Sequence, residues 1–153
     1  MTMATSKSTW KKGRGKLGFL EPLLGTWKAG SDSPMGPVQC TRTFSRVLNG
    51  TYIQLAATWK FKGSVYEEVA YFGARPDGTV GFWSFTSDGK HSEGRVADVT
   101  DIHPQAIGFE APMPAGLARM AYWPDEDQGF HWAVEAKNKK GWKRFTQHHY
   151  VVA

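Results

Sequence analysis

Two strand-like stretches of this 153-residue chain carry side chains able to grip a polar group from one side. In the run 65–75, alternation puts Tyr66 and Glu68 in one phase with Ala70, Phe72 and Ala74. In the run 141–152, Arg144, His148 and Tyr150 share a phase with Trp142 and Thr146. Successive side chains of a strand point to opposite faces. If these two phases face one interior, they make a few converging polar groups in an apolar wall, the usual recipe for a small-molecule site. The planar fork of Arg144 suits a carboxylate. Glu68 and His148 could serve as an acid/base pair, although a buried hydrogen-bonded pair that sets pocket polarity is the simpler reading. Arg42 and Arg46 share a strand face with Cys40 and Phe44 and could reach an anion, with a solvated strand face as the simpler account. Tyr66, Glu68, Arg144, His148, Tyr150 and Arg42 are therefore the expected ligand-binding set, and no residue is assigned a catalytic role.

Other chemistry finds less support. There is no Gly-x-Ser-x-Gly, paired Cys-x-x-Cys or His-Glu-x-x-His, the spacings that would announce a nucleophile elbow or a zinc site. His148 and His149 are adjacent in a strand, so they point to opposite sides of it and cannot both ligate a metal inside. His91, His103 and His131 fall in separate strands or turns with no ligand spacing between them, and no metal site is expected. Cys40 is the only cysteine. It excludes an intrachain disulfide framework, fits a reducing compartment and reads as a packed bystander.

The elements that must position these residues are strands. Strand-like runs cover roughly 24–30, 38–48, 51–61, 65–75, 79–86, 90–100, 105–111, 117–123, 129–137 and 141–152, separated by turn residues such as Asn49-Gly50, Pro76-Asp77-Gly78 and Asp88-Gly89. Asn-Gly and Asp-Gly tolerate the positive φ that tight hairpins require, so sequence neighbours pair antiparallel. Ten strands in an open meander would leave two exposed edges, and closing the sheet removes them. The expected fold is all-β, a ten-stranded antiparallel up-and-down β-barrel. A short helical segment, with Leu17, Phe19, Leu20, Leu23 and Leu24 on a partly helical spacing, precedes it as a lid or plug.

Net charge is +5, but Lys7, Lys11, Lys12, Arg14 and Lys16 account for all of it. Residues 1–16 read as a basic flexible tail and residues 17–153 as one charge-balanced barrel domain, which argues against a specific nucleic-acid partner. No apolar stretch reaches the ~20 residues of a membrane span, and no apolar h-region follows the N-terminal basic residues. The expected location is cytoplasmic. The oligomeric state is open, a dimer included.

A Gly-x-Trp opening the first strand, at Gly25-Thr26-Trp27, resembles the calycin barrels, the lipocalin and fatty-acid-binding-protein group. Tyr71-Phe72-Gly73-Ala74-Arg75-Pro76-Asp77-Gly78-Thr79 is similar to the strand–turn–strand of nitrobindin-like haem-binding barrels. Thr43-Phe44-Ser45 through Asn49-Gly50-Thr51-Tyr52 resembles a related bacterial group of uncharacterised proteins. The resemblance implies a cavity inside the barrel, with Trp27 packed at its floor. It also implies a small, largely apolar or aromatic ligand. Haem-binding relatives carry a histidine where this chain has Tyr66, and a haem-ligating histidine in a C-terminal segment that has no counterpart before Ala153. Tyr66 and His148 are the substitutes such a haem would use. The alternative function is thus a haem barrel with nitrogen-oxide or peroxide chemistry. Fatty-acid-binding relatives clamp a carboxylate with Arg-x-Tyr on the last strand, and that compact motif is absent here.

Overall fold

The computed structural model describes residues 10–33 and 36–153. A 3-10 helix, Gly18–Leu23, leads into ten strands: β1 (Gly25–Ser33), β2 (Gly36–Val47), β3 (Tyr52–Phe61), β4 (Ser64–Ala74), β5 (Val80–Thr86), β6 (His91–Ala97), β7 (Ile107–Met113), β8 (Gly116–Pro124), β9 (Phe130–Asn138) and β10 (Gly141–Val152). Each strand pairs antiparallel with its sequence neighbours, and β1 pairs with β10 as well as β2, so the sheet closes. The expected ten-stranded up-and-down barrel is what the chain forms. Its helical segment is a single 3-10 stretch, with Pro22 inside it. No helix among the described residues is long and apolar enough to cross a membrane.

Alternation decides the two sides of the wall. Val38, Cys40, Arg42 and Phe44 of β2 are buried, and their cross-strand partners are Phe61, Trp59, Ala57 and Leu55. The register carries this inward phase to Tyr66, Glu68, Ala70 and Phe72 of β4 and to Phe82 and Ser84 of β5. It is resumed by Phe130, Trp132 and Val134 of β9, opposite Tyr150, His148 and Thr146 of β10. His148 thus faces in and its neighbour His149 faces out.

One end of the barrel is plugged. Leu17, Leu20 and Leu23 are buried there, each stabilising by roughly 2 kcal/mol relative to exposure. The indole N–H of Trp27 donates to the Leu23 carbonyl at 2.8 Å, and its ring meets Phe130 edge-on at 4.8 Å. An Arg46–Glu21 ion pair clasps the helix to β2 from outside. Residues 1–9, the greater part of the expected tail, lie outside the described residues. Trp10 sits against the plugged end, its indole N–H donating to the Gln105 carbonyl at 3.0 Å and its ring 6.3 Å from Phe130.

Toward the other end two seams thin out. β1 meets β10 only at Trp27–Val152 and Lys28–Val151. β6 meets β7 only from Arg95–Glu110 to Ala97–Gly108. The register between β9 and β10 also breaks once, between Arg144 and Thr146, where an extra residue interrupts the pairing.

Candidate functional site

Arg42 occupies the middle of the barrel, with 1% of its surface exposed. β2 brings it there because Cys40 and Phe44, two positions either side, share its phase and belong to residue types that bury readily. Its Nε donates to the Tyr150 hydroxyl at 3.2 Å and its Nη1 to the Tyr122 hydroxyl at 3.0 Å. The guanidinium lies over the Trp132 ring at 4.2 Å. Among the described residues it forms no ion pair. Burial works against its charge, and Tyr122, Tyr150 and then Glu68, acting through space, more than offset that and hold its basicity up. An arginine does not shed its proton in a protein, so this is a permanent positive charge in an apolar interior.

Beside it lies a cavity of about 180 Å³. Its walls are largely apolar, with Leu55, Phe72, Phe82 and Phe109 among them, and its polar lining residues are Arg42, the Glu68–Ser84 pair, Ser92 and, at the β8 wall, Arg119. The Ser84 hydroxyl donates to Glu68 Oε2 at 2.5 Å. Trp132 lines the same cavity, and its buried indole N–H has no hydrogen-bond partner among the described residues. The space therefore offers donors, Arg42 and Trp132, and an acceptor, Glu68, in the same row of the wall as Arg42. A wider mouth of about 500 Å³ opens at the unplugged end, lined by Val38, Trp59, Phe61, Tyr66, Thr146 and His148 among others.

The surroundings set the protonation states. Burial, opposed by Arg42, pushes the Tyr122 phenol well above its usual range, so its hydroxyl stays neutral and accepts from the guanidinium. Burial and then Arg42 hold His148 below the ordinary imidazole range; it is the neutral form that sits 3.6 Å from Cys40 Sγ through Nδ1. Burial pushes the Cys40 thiol up against the opposing pull of Tyr150 and Arg42. A protonated, buried thiol is a poor nucleophile.

Five of the six residues expected from the sequence face the interior. Arg42 and Glu68 line the cavity, Tyr66 and His148 line the mouth, and Tyr150 holds Arg42 in place. Arg144 does not join them. The irregularity before Thr146 shifts the phase of β10, so Arg144 pairs with Glu135 on the outer face. Its Nε donates to Glu135 Oε2 at 2.9 Å, and its guanidinium lies over Trp123. A single inserted residue cancels the strict alternation on which the expectation for Arg144 depended. Glu68 and His148 are also bonded separately, to Ser84 and Cys40, and not to each other. Tyr122 and Trp132 are site residues that the sequence did not single out. Trp132 had a signal, sharing its phase with Phe130 and Val134, whereas Tyr122 had none beyond belonging to an apolar run.

No protein-family model matches the chain, and no curated protein sequence matches it either. The chemistry of the cavity must be read from its own geometry.

Proposed function

We propose that the protein binds a small, largely apolar or aromatic molecule in the barrel cavity, with an anionic or strongly accepting group directed at Arg42. The observation that carries this reading is a buried guanidinium whose hydrogen-bond partners are two neutral phenols. A buried charge without a counter-charge is costly, and a ligand carboxylate would offset that cost through charge-assisted hydrogen bonds. The unpartnered indole N–H of Trp132, a residue lining the same cavity, adds a second donor. Glu68 with Ser84 suits a ligand hydroxyl or amine. A dry apolar cavity of about 150 Å³ accommodates benzene, so a space of about 180 Å³ suits a single-ring molecule. The resemblance to calycin barrels, which hold ligands inside, supports the same reading.

A matched pair of probes tests it. Benzoate should bind the full chain measurably by calorimetry and more tightly than benzyl alcohol. Arg42→Met should weaken benzoate at least tenfold, a change of about 1.4 kcal/mol, and leave benzyl alcohol nearly unchanged. Equal losses for both probes, or no binding of either, would sink the proposal. Trp132→Phe, which keeps the ring and removes the N–H, serves as a gentler second variant with a smaller loss for benzoate.

One observation favours a second reading. Tyr66 and His148, the residues that a haem in this barrel would use, line the same mouth, although the interior cavity is too small for a macrocycle. Both residue types can ligate haem iron, which would supply redox or nitrogen-oxide chemistry when bound. Titrating the protein with haemin decides it: a Soret shift that disappears in His148→Leu supports haem, and an unshifted band removes it.

A further inference from the structure

The outer face of the last strands carries a second constellation, separate from the cavity. His131 on β9 and His149 on β10 are direct cross-strand partners. Their rings stack at 4.7 Å, and Trp123 stacks on His131 from β8 at 5.4 Å. Asp125, in the β8–β9 turn, places Oδ1 2.7 Å from His131 Nε2 and 3.8 Å from His149 Nε2. One ligand atom from each of the three residues lies within 4.8 Å of the others.

The turn fixes the orientation of the carboxylate. Its Oδ2 accepts the backbone N–H groups of Asp127 and Gln128 at 3.0 and 3.2 Å, which leaves Oδ1 as the oxygen beside both histidines. Gly129 holds the turn closed at φ 71°, where a side chain would overlap the Tyr150 carbonyl. Burial opposes the charge on Asp125, but the two backbone N–H groups, His131 and His149 outweigh it and hold the carboxyl below its usual range. The Nδ1 of His131 is buried without a partner among the described residues, so Nε2, which donates to Asp125 Oδ1 in this arrangement, is the nitrogen that can meet a ligand once it gives up that proton. His149 is exposed, and its Nε2–H donates to the Gln128 carbonyl at 2.9 Å, a bond that ligation through Nε2 would replace as the proton moves to Nδ1. That carbonyl stands at the edge of the same cluster.

We propose that Asp125, His131 and His149 form a binding site for a divalent transition-metal ion of the zinc class. Two imidazoles and a carboxylate are the ligand types that Zn²⁺ accepts, with a fourth position for water or the Gln128 carbonyl. A tetrahedral ion with bonds of about 2.0–2.1 Å holds its ligand atoms about 3.3 Å apart. The Asp125–His131 contact would open by about 0.6 Å, the Asp125–His149 contact close by about 0.5 Å, and the two imidazole nitrogens, within 4.8 Å of each other, close by up to about 1.5 Å to reach that spacing. His149, whose ring is exposed, is the side chain free to make the closing movements by rotation. The two histidines lie 18 positions apart, and only strand pairing brings them together.

Calorimetric titration of the chelator-treated full chain with ZnCl₂ tests the site, with Co²⁺ absorption as a spectroscopic readout of coordination. One saturable Zn²⁺ per chain is expected, accompanied by a visible Co²⁺ spectrum of four-coordinate type. His149→Gln, at an exposed position that should not disturb folding, and Asp125→Asn should each weaken Zn²⁺ at least tenfold and remove the Co²⁺ signal. His91→Gln, a surface imidazole on another strand, should leave both unchanged. Absence of saturable binding would overturn the proposal. So would full binding by His149→Gln, or a loss that follows His91→Gln instead. Benzoate binding at Arg42 should be indifferent to Zn²⁺, so either site can fail without the other.

Discussion

Arg42 and Arg119 are both buried arginines, 1% and 7% exposed, and each lies over a tryptophan ring at 4.2 Å. Their surroundings otherwise differ. Arg119 projects from β8 to the outer face, where it meets Glu135 Oε1 at 2.7 Å and takes both oxygens of Asp101 at 3.0 and 2.8 Å. Arg42 projects inward and finds only phenol oxygens. The outer guanidinium is matched by carboxylates of its own chain, and stability alone is reason enough for it. The inner one is desolvated without such a match, and an aromatic face does not replace a counter-ion. The contrast separates an arginine matched by carboxylates of its own wall from one that, under the proposed function, a ligand anion would match.

Stability measurements can break this comparison. Arg119→Met should cost about 2–3 kcal/mol in urea unfolding, because removing one partner of a buried pair leaves an uncompensated charge. The cost is at the lower end because Glu135 keeps Arg144. Arg42→Met should change stability by less than about 1 kcal/mol, since losing two hydrogen bonds is offset by removing a buried charge. Comparable losses for the two variants would mean that Arg42 is as structural as Arg119.

The pH dependence of stability sharpens the inner half of the comparison. The folded state disfavours protonated His148, so the unfolded chain binds the extra proton. Stability is therefore full above the unfolded imidazole pKa, about 6.5, and falls as pH drops below it. His148→Leu should flatten that part of the curve, and chemical unfolding at pH 5 and pH 7 measures the change. An unaltered slope would show that burial beside Arg42 does not govern this imidazole.

The smallest effect is expected at Arg144. It is about one-third exposed and only shares Glu135. Arg144→Ala should cost less than about 1 kcal/mol, shrinking with added salt, and should leave benzoate affinity intact. A loss of affinity would put Arg144 back among the ligand contacts.

Much of the fold was legible because a barrel has strict local rules. Asn49-Gly50, Asp77-Gly78 and Asp88-Gly89 mark hairpins where the structure has them, and ten runs with short connections leave closure as the economical arrangement. That Tyr66 and Glu68 share one side of β4 followed from alternation, whereas the register decided that this side is the inner one. Arg144 was misplaced because alternation carries no warning of an inserted residue, and the side chains near it, Trp142 and Phe145, are bulky on either phase. Arg42 received less weight than it merits: charge suggested a solvated face, although Cys40 and Phe44 on the same phase already pointed inward. Asp125, His131 and His149 could not be grouped at all, since each has unremarkable neighbours along the chain.

By itself the sequence determined the periodicity of two, the turns, the plug and the confinement of the excess charge to residues 1–16. These depend on a residue and its near neighbours, through φ preferences and side-chain alternation. Tertiary structure decided which cations would be paired. Register set Arg119 beside Glu135 on one side of the wall and Arg42 under Tyr122 and Tyr150 on the other. That choice arises from pairing between distant strands and from a single irregularity in β10, and no local pattern encodes either.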